Sequence, residues 1–237
     1  DAAAAGHTVN TNTQLTEDEV DAFVANNGFG LAADVSDNTA AIAENHSVSA
    51  SRFEDCGDGT VADNDTGLLW EKKTGTIPDP VQFDQTVECE TAGCPDPHDV
   101  ANVYQLREGF SGPNSGGNAY TDFLPRLNGL FDPDAATGCF ANRCDWRLPE
   151  ISELQTILIG TDAAPGQATT CSVAPCIDPD FAALGGPTAS SFYWSASSRA
   201  FVTNEASSAL FGLLPRVEFF TKAVDLFVRA VRAGSFD

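Results

Sequence analysis

Six of the seven cysteines fall into three equal spacings: Cys89–Cys94, Cys139–Cys144 and Cys171–Cys176, each C-x4-C in a Gly-, Pro- or Asn-rich stretch. Short loops closed by oxidised pairs suit a protein outside the reducing cytosol. Zinc would call for C-x2-C pairs with histidine nearby. The three histidines, His7, His46 and His98, lie beside none of the pairs. Local disulfides are therefore the reading adopted, with reduced thiols as the alternative. Cys56 is left over, either as a buried free thiol or as half of an intermolecular bond.

Oxygen donors offer a second chemistry. Asp58, Asp63 and Asp65 crowd one Gly-rich stretch. Such a loop could hold Ca²⁺, although Asp, Asn and Gly at this density are also plain turn formers. No cofactor is otherwise indicated. Nothing in the pattern suits a nucleophilic or redox enzyme. There is no Gly-x-Ser-x-Gly, no histidine cluster and no cysteine after Cys176. The chain is expected not to be an enzyme.

Charge narrows the partners. The chain has 237 residues, with 34 acidic against 12 basic, a net charge of −22. That field repels nucleic acid and anionic lipid. No run of apolar residues is long enough to span a bilayer, so membrane insertion is not expected. Methionine is absent and the chain starts Asp1-Ala-Ala-Ala-Ala. That start is what signal-peptide cleavage would leave, and an extracellular or cell-surface location is expected.

The elements that must position these residues divide at about residue 50. Residues 1–50 form an Ala-, Asn- and Thr-rich arm without Cys, Pro or Trp. One helix is predicted over 16–27. Thr16 caps it, Glu19 completes a capping box and Leu15 staples onto Val20. Leu15, Val20, Phe23 and Val24 make a narrow apolar stripe, and Gly28 sits where the helix ends. The rest of the arm buries little by itself. It is expected to dock on its own domain or on a neighbouring copy, which makes the stripe a candidate subunit contact.

Residues 51–237 are expected to form one α+β domain. Thr60–Asp63 and Thr66–Trp70 read as a hairpin turning at Asn64-Asp65. A helix is expected after Val81 and another over Ala119–Asn128. A third should open at Pro149, with Ile151, Leu154, Ile157 and Leu158 as its stripe. Strands are expected at Ser191–Ala196, Ala209–Leu214, Val217–Thr221 and Leu226–Val231. Residues 75–118 and 160–190 read as long, ligand-competent loops, with Tyr104, Phe110 and the neighbouring Tyr120 as the aromatics expected to face a ligand and His98 as a plain loop residue.

Four segments stand in a fixed order: Gly57–Lys73, Asp145–Gln155 with its Trp-Arg-Leu-Pro, Ser191-Phe-Tyr-Trp-Ser195, and Val228-Arg-Ala-Val-Arg232. Together they resemble the Lcl C-terminal-type domain of bacterial adhesins and other secreted bacterial proteins, over about Phe53 to Arg232. The Trp-Arg-Leu-Pro stretch is also similar to one in the formylglycine-generating-enzyme superfamily. The resemblance implies a C-type-lectin-like fold: a small twisted antiparallel sheet, flanking helices and long stapled loops. Trp70, Trp146 and Trp194 all lie in these segments, as core anchors or as sugar-stacking platforms. Arg147, Arg229 and Arg232 are expected to pair with carboxylates such as Asp145, Glu150 or Glu153, or to touch a ligand.

Two modes of action follow from the sequence. In one, the arm joins subunits into a surface filament that also adheres. In the other, the domain is a monomeric module that binds a glycan or a protein through its loops, with or without Ca²⁺.

Overall fold

The computed structural model divides into two units, Asp1–Ala50 and Ser51–Asp237. It describes residues 51–77, 87–88, 96–107, 117–130 and 138–234. The arm with its expected helix, the helix after Val81, Phe110 and the Cys89–Cys94 pair lie outside the described residues.

The described part is α+β, with two sheets rather than the single small antiparallel sheet expected. The first has the order β1 (Phe53–Asp55), β2 (Thr60–Asp63), β3 (Leu68–Glu71), β10 (Val231–Ala233) and is antiparallel throughout. The second sheet takes up β4 (Val87–Glu88), β5 (Asn102–Tyr104), β9 (Leu226–Phe227), β6 (Phe192–Ser198), β7 (Glu205–Leu210) and β8 (Arg216–Thr221), in that order. It is mixed, because β4–β5 and β6–β9 run parallel.

Consecutive side chains on a strand point to opposite faces, and here both faces are covered. In β3, Leu68 and Trp70 enter one hydrophobic cluster while Leu69 enters a second. In β6, Tyr193 goes to the first cluster and Trp194 to the second. This explains the unbroken apolar runs Leu68-Leu69-Trp70 and Phe192-Tyr193-Trp194. A sheet wetted on one side would alternate instead. All three tryptophans are buried, at 0%, 3% and 0% exposure for Trp70, Trp146 and Trp194, so none is a sugar platform. The indole N–H of Trp194 donates to the carbonyls of Tyr104 and Val224, and that of Trp146 to Phe140. The Trp70 N–H is buried without an acceptor among the described residues.

The expected strand over Leu226–Val231 is two strands. β9 belongs to the second sheet and β10 to the first, with Val228, Arg229 and Ala230 buried in the crossing. The expected strand at Ala209–Leu214 lies four residues too late. β7 runs Glu205–Leu210, because Ser207 and Ser208 are buried strand residues. The Ser207 carbonyl accepts from Ser195 Oγ, and Ser208 Oγ donates to Glu218 O, so the buried hydroxyls of Ser195 and Ser208 are both satisfied. Gly212 to Pro215 form the tip before β8.

Three short helices flank the sheets. A π-helical turn at Ala119–Phe123 runs into α1 (Leu124–Leu127), where the sequence placed one helix. α2 (Ile151–Ile157) buries Leu154 and Ile157. Pro149 stands outside it, and Glu150 is the cap: its side chain and that of Glu153 form a reciprocal capping box. α3 (Pro179–Leu184) falls in a stretch read as loop. Asp178 caps it by accepting from Asp180 N and Phe181 N, with Pro179 at the first turn. Among the described residues no helix is long and apolar enough to cross a membrane.

Candidate functional site

The ordered segments converge on a buried ionic centre. β3 ends at Glu71, whose carboxylate is fully buried. Its Oε1 accepts from Lys73 Nζ at 2.9 Å and meets His98 Nδ1 at 2.8 Å, and its Oε2 accepts Ala230 N at 2.8 Å. Burial alone would raise the Glu71 pKa, but Lys73, His98 and the Ala230 N–H outweigh it and hold the group below its ordinary value. Burial pulls the Lys73 ammonium below its ordinary value despite the attraction of Glu71. His98, expected to be an unremarkable loop residue, therefore closes this centre, and its ring packs on Phe140 at 4.3 Å. Phe140 belongs to the stapled turn between Cys139 and Cys144.

Arg229 lies 1% exposed in the crossing between β9 and β10. Among the described residues it takes no carboxylate by direct contact, contrary to expectation. Its guanidinium donates to the carbonyls of Glu71 (2.8 Å), Gly185 (2.7 Å) and Pro187 (3.2 Å) and to Thr188 Oγ1 (3.0 Å). Only a planar five-donor fork can gather carbonyls from two separate loops. Gly186 lets that loop approach: a Cβ there would stand 2.0 Å from Lys73 O, and its φ is +76°. The other two motif arginines do pair as expected. Arg147 grips Glu153 in bidentate fashion at 2.7 and 2.6 Å, and Arg232 grips Asp145 at 2.7 and 3.1 Å.

The three aspartates do not assemble a cation site. Asp58 Oδ1 caps Thr60 through its N–H and hydroxyl. Asp63 holds the Arg52 fork at 2.9 and 2.8 Å, and Asp65 lies 3.7 Å from the same guanidinium. Turn chemistry and an arginine consume the oxygens that Ca²⁺ would need. Among the described residues no three His, Cys, Asp or Glu side chains converge as metal ligands.

Cys139–Cys144 and Cys171–Cys176 are disulfides, as the spacing predicted. Cys56 has no disulfide partner among the described residues and is half-buried. It borders a small cavity of about 100 Å³ with Asp58, Arg143 and Trp146. Burial pushes its thiol pKa up, which disfavours the thiolate that disulfide exchange requires.

The open surface lies elsewhere. A groove of about 410 Å³ runs between the stapled loop and the β7–β8 tip, lined by Gly160, Asp162, Thr169, Cys171, Leu213 and Pro215. Leu213 is 58% exposed, Leu214 75% and Val173 75%. The geometry is fixed from both sides. Cys176 N donates to Phe211 O at 2.7 Å, and Asp162 Oδ2 accepts Val217 N at 2.7 Å. A Cβ at Gly160 would stand 2.1 Å from Pro215 Cγ. Of the loop aromatics expected to face a ligand, Tyr104 is fully buried and Tyr120 packs half-buried against the second cluster.

The family model of the Lcl C-terminal domain matches residues 59–232, from the turn before β2 to β10. The chain belongs to the Lcl C-terminal domain family. Neither the curated proteins nor the solved structures give a match. Within this Lcl C-terminal domain, the matched span starts and ends on the sheet that carries Glu71, and it encloses both the ionic centre and the groove. Sequence reasoning missed the groove because it placed Leu213 and Leu214 inside a strand. Gly212 and Pro215, flanking the two leucines, are the turn signal that would have found it.

Proposed function

We propose that this chain is a secreted surface protein that works by non-covalent contact, assembling with copies of itself and adhering, and that it is not an enzyme. The observation that carries the reading is the apolar display at the β7–β8 tip. Leu213 and Leu214 stand open beside a groove whose far wall is held by the Cys171–Cys176 disulfide. An exposed apolar patch on a chain this acidic marks a contact surface. Stapling removes conformational freedom before binding, so less is lost on contact. The interior charges support the same reading: Glu71, Lys73 and Arg229 are spent on fixing strands to loops. Two disulfides fit an extracellular location.

We read the domain as a C-type-lectin-like variant, with the stapled loops as the recognition surface and residues 1–50 as the segment that joins subunits. A monomeric module is the second reading, favoured by the hydroxyls of Thr161, Thr169 and Thr170 that line the groove and suit a neutral glycan.

The test is negative-stain electron microscopy and analytical ultracentrifugation of the full chain beside Leu213→Asp/Leu214→Asp and beside a chain lacking residues 1–50. Filaments or higher species from the full chain, lost in both variants, are expected. Monodisperse particles from the full chain at high concentration would sink self-assembly and leave the groove to be tested on glycan and protein arrays.

A further inference from the structure

The twelve basic side chains of this acidic chain all fall within the described residues. Most meet a carboxylate. Arg52 pairs with Asp63, Lys72 with Asp55, Lys73 with Glu71 and Arg126 with Asp122. Arg147 pairs with Glu153, Arg199 with Glu205, Arg216 with Glu218 and Arg232 with Asp145. Arg229 is held by carbonyls. Two of the remainder lie side by side. Arg107 is 5% exposed and Lys222 7% exposed. The N–H groups of Leu106 and Arg107 both donate to Lys222 O, at 2.9 and 3.0 Å. Among the described residues Lys222 Nζ reaches only Ser198 Oγ, at 2.8 Å. Among the described residues the Arg107 guanidinium has no hydrogen bond and no ion pair.

Two like charges, largely withdrawn from water and without a counter-ion among the described residues, are costly in any chain. They are more conspicuous in one with 34 acids available to neutralise them. Burial pulls the Lys222 ammonium below its ordinary value, and Arg107 adds to the shift. The arrangement is held in place by backbone. Lys222 N donates to Asn204 O at 2.8 Å, so the end of β8, the β6–β7 turn and the stretch after β5 are tied together here.

We infer that Arg107, Lys222 and the Ser198 hydroxyl form a docking point for a carboxylate of an acidic peptide, supplied by residues 17–21 of a second copy of this chain. A guanidinium fork beside an ammonium matches a carboxylate with charge-assisted bonds. Residues 1–50 carry no Lys or Arg, and Glu17, Asp18, Glu19 and Asp21 are their densest run of acid. The source of the carboxylate rests on the self-association proposed above. The site itself rests on the unpaired cations.

The experiment titrates a labelled synthetic peptide with the native residues 12–28 into the full chain, read by fluorescence anisotropy at low salt. The receptor carries Glu17→Gln, Asp18→Asn, Glu19→Gln and Asp21→Asn, so that its own segment does not compete. Saturable binding is expected. Adding Arg107→Gln and Lys222→Gln to the receptor should weaken it by roughly tenfold or more, since bonds to charged groups are the strong ones. The melting temperature should not fall, because two repelling charges have been removed. A peptide with its four acids neutralised should lose the same affinity.

No saturable binding overturns the inference, as does binding that ignores the receptor substitutions or is shared by the neutral peptide. A melting shift with inorganic sulfate that needs Arg107 and Lys222, without peptide binding, also overturns it and leaves an inorganic anion site. Assembly that survives while the peptide fails leaves the proposed function standing. Peptide binding without assembly sinks the self-association and keeps the site.

Discussion

Arg229 ties together three pieces of chain: the end of β3, the loop after α3 and the crossing from β9 to β10. Its charge is balanced by carbonyl dipoles and by the face of Phe181 at 5.2 Å. Arg229→Lys keeps the charge but not the fork. It leaves the Gly185 and Pro187 carbonyls to be satisfied by one ammonium of different reach. Removing part of a buried charged network costs about 3–5 kcal/mol. The expected outcome for Arg229→Lys is a urea midpoint lowered by that much, with the slope unchanged. A midpoint within error of the parent would show that the fork is dispensable. Glu71 is the second such residue. Among the described residues it is the only carboxylate in direct reach of Lys73, so Glu71→Gln strands a buried ammonium and should destabilise by a similar amount.

At the scale of elements, two features hold the loops against the sheets. Gly186 lies where the loop after α3 touches Lys73 O, and its left-handed φ leaves no room for a side chain. Gly186→Ala adds backbone strain and overpacking, together about 2–4 kcal/mol, and should lower the melting temperature by several degrees. The Cys171–Cys176 staple closes a short loop, for which chain entropy gives about 2 kcal/mol. Cys171→Ser/Cys176→Ser should cost about that in stability and, if the groove binds as proposed, more in affinity, which calorimetry on both chains separates. How far these elements could be read beforehand depended on what each needed from the rest of the chain. The β2–β3 hairpin and α2 were legible because turn and cap residues mark them locally. α3 carried the same kind of mark in Asp178-Pro179, but the Gly-Pro-rich surroundings hid it. β7 was misplaced because its serines look like loop until their partners on β6 and β8 are known. The switch of Leu226–Ala233 between sheets had no local signal. Neither had the ionic centre, since Glu71, His98 and Arg229 come from distant stretches and only topology brings them together.

For the molecule as a whole, a net charge of −22 stores repulsion that the paired carboxylates partly offset. Their pairing sets the acid limit. The carboxyl groups of Glu71 and Glu153 sit below their ordinary 4.5, and that of Asp145 below its ordinary 3.8. For Glu153, burial works toward a higher value and the Arg147 fork overcomes it. For Asp145, the Arg232 hydrogen bond is the main cause. A carboxyl group with a lowered folded-state pKa adds stability that is fully present above the unfolded value. That stability is lost as pH falls through the folded one. Repulsion runs the other way, since protonating unpaired surface acids relieves it before the paired ones titrate. Melting temperature should therefore hold or rise slightly on going from neutral pH to about pH 5, then fall steeply below about pH 4. Salt separates the two contributions. About 0.15 M or more screens surface repulsion at roughly 8 Å, so it should raise stability most at neutral pH, where the charge is largest. The buried Glu71 centre is shielded from salt, so the low-pH fall should persist at high ionic strength. A melting temperature flat down to pH 3, or a low-pH fall abolished by salt, would mean that surface charge and not the ionic centre governs the fold's acid limit.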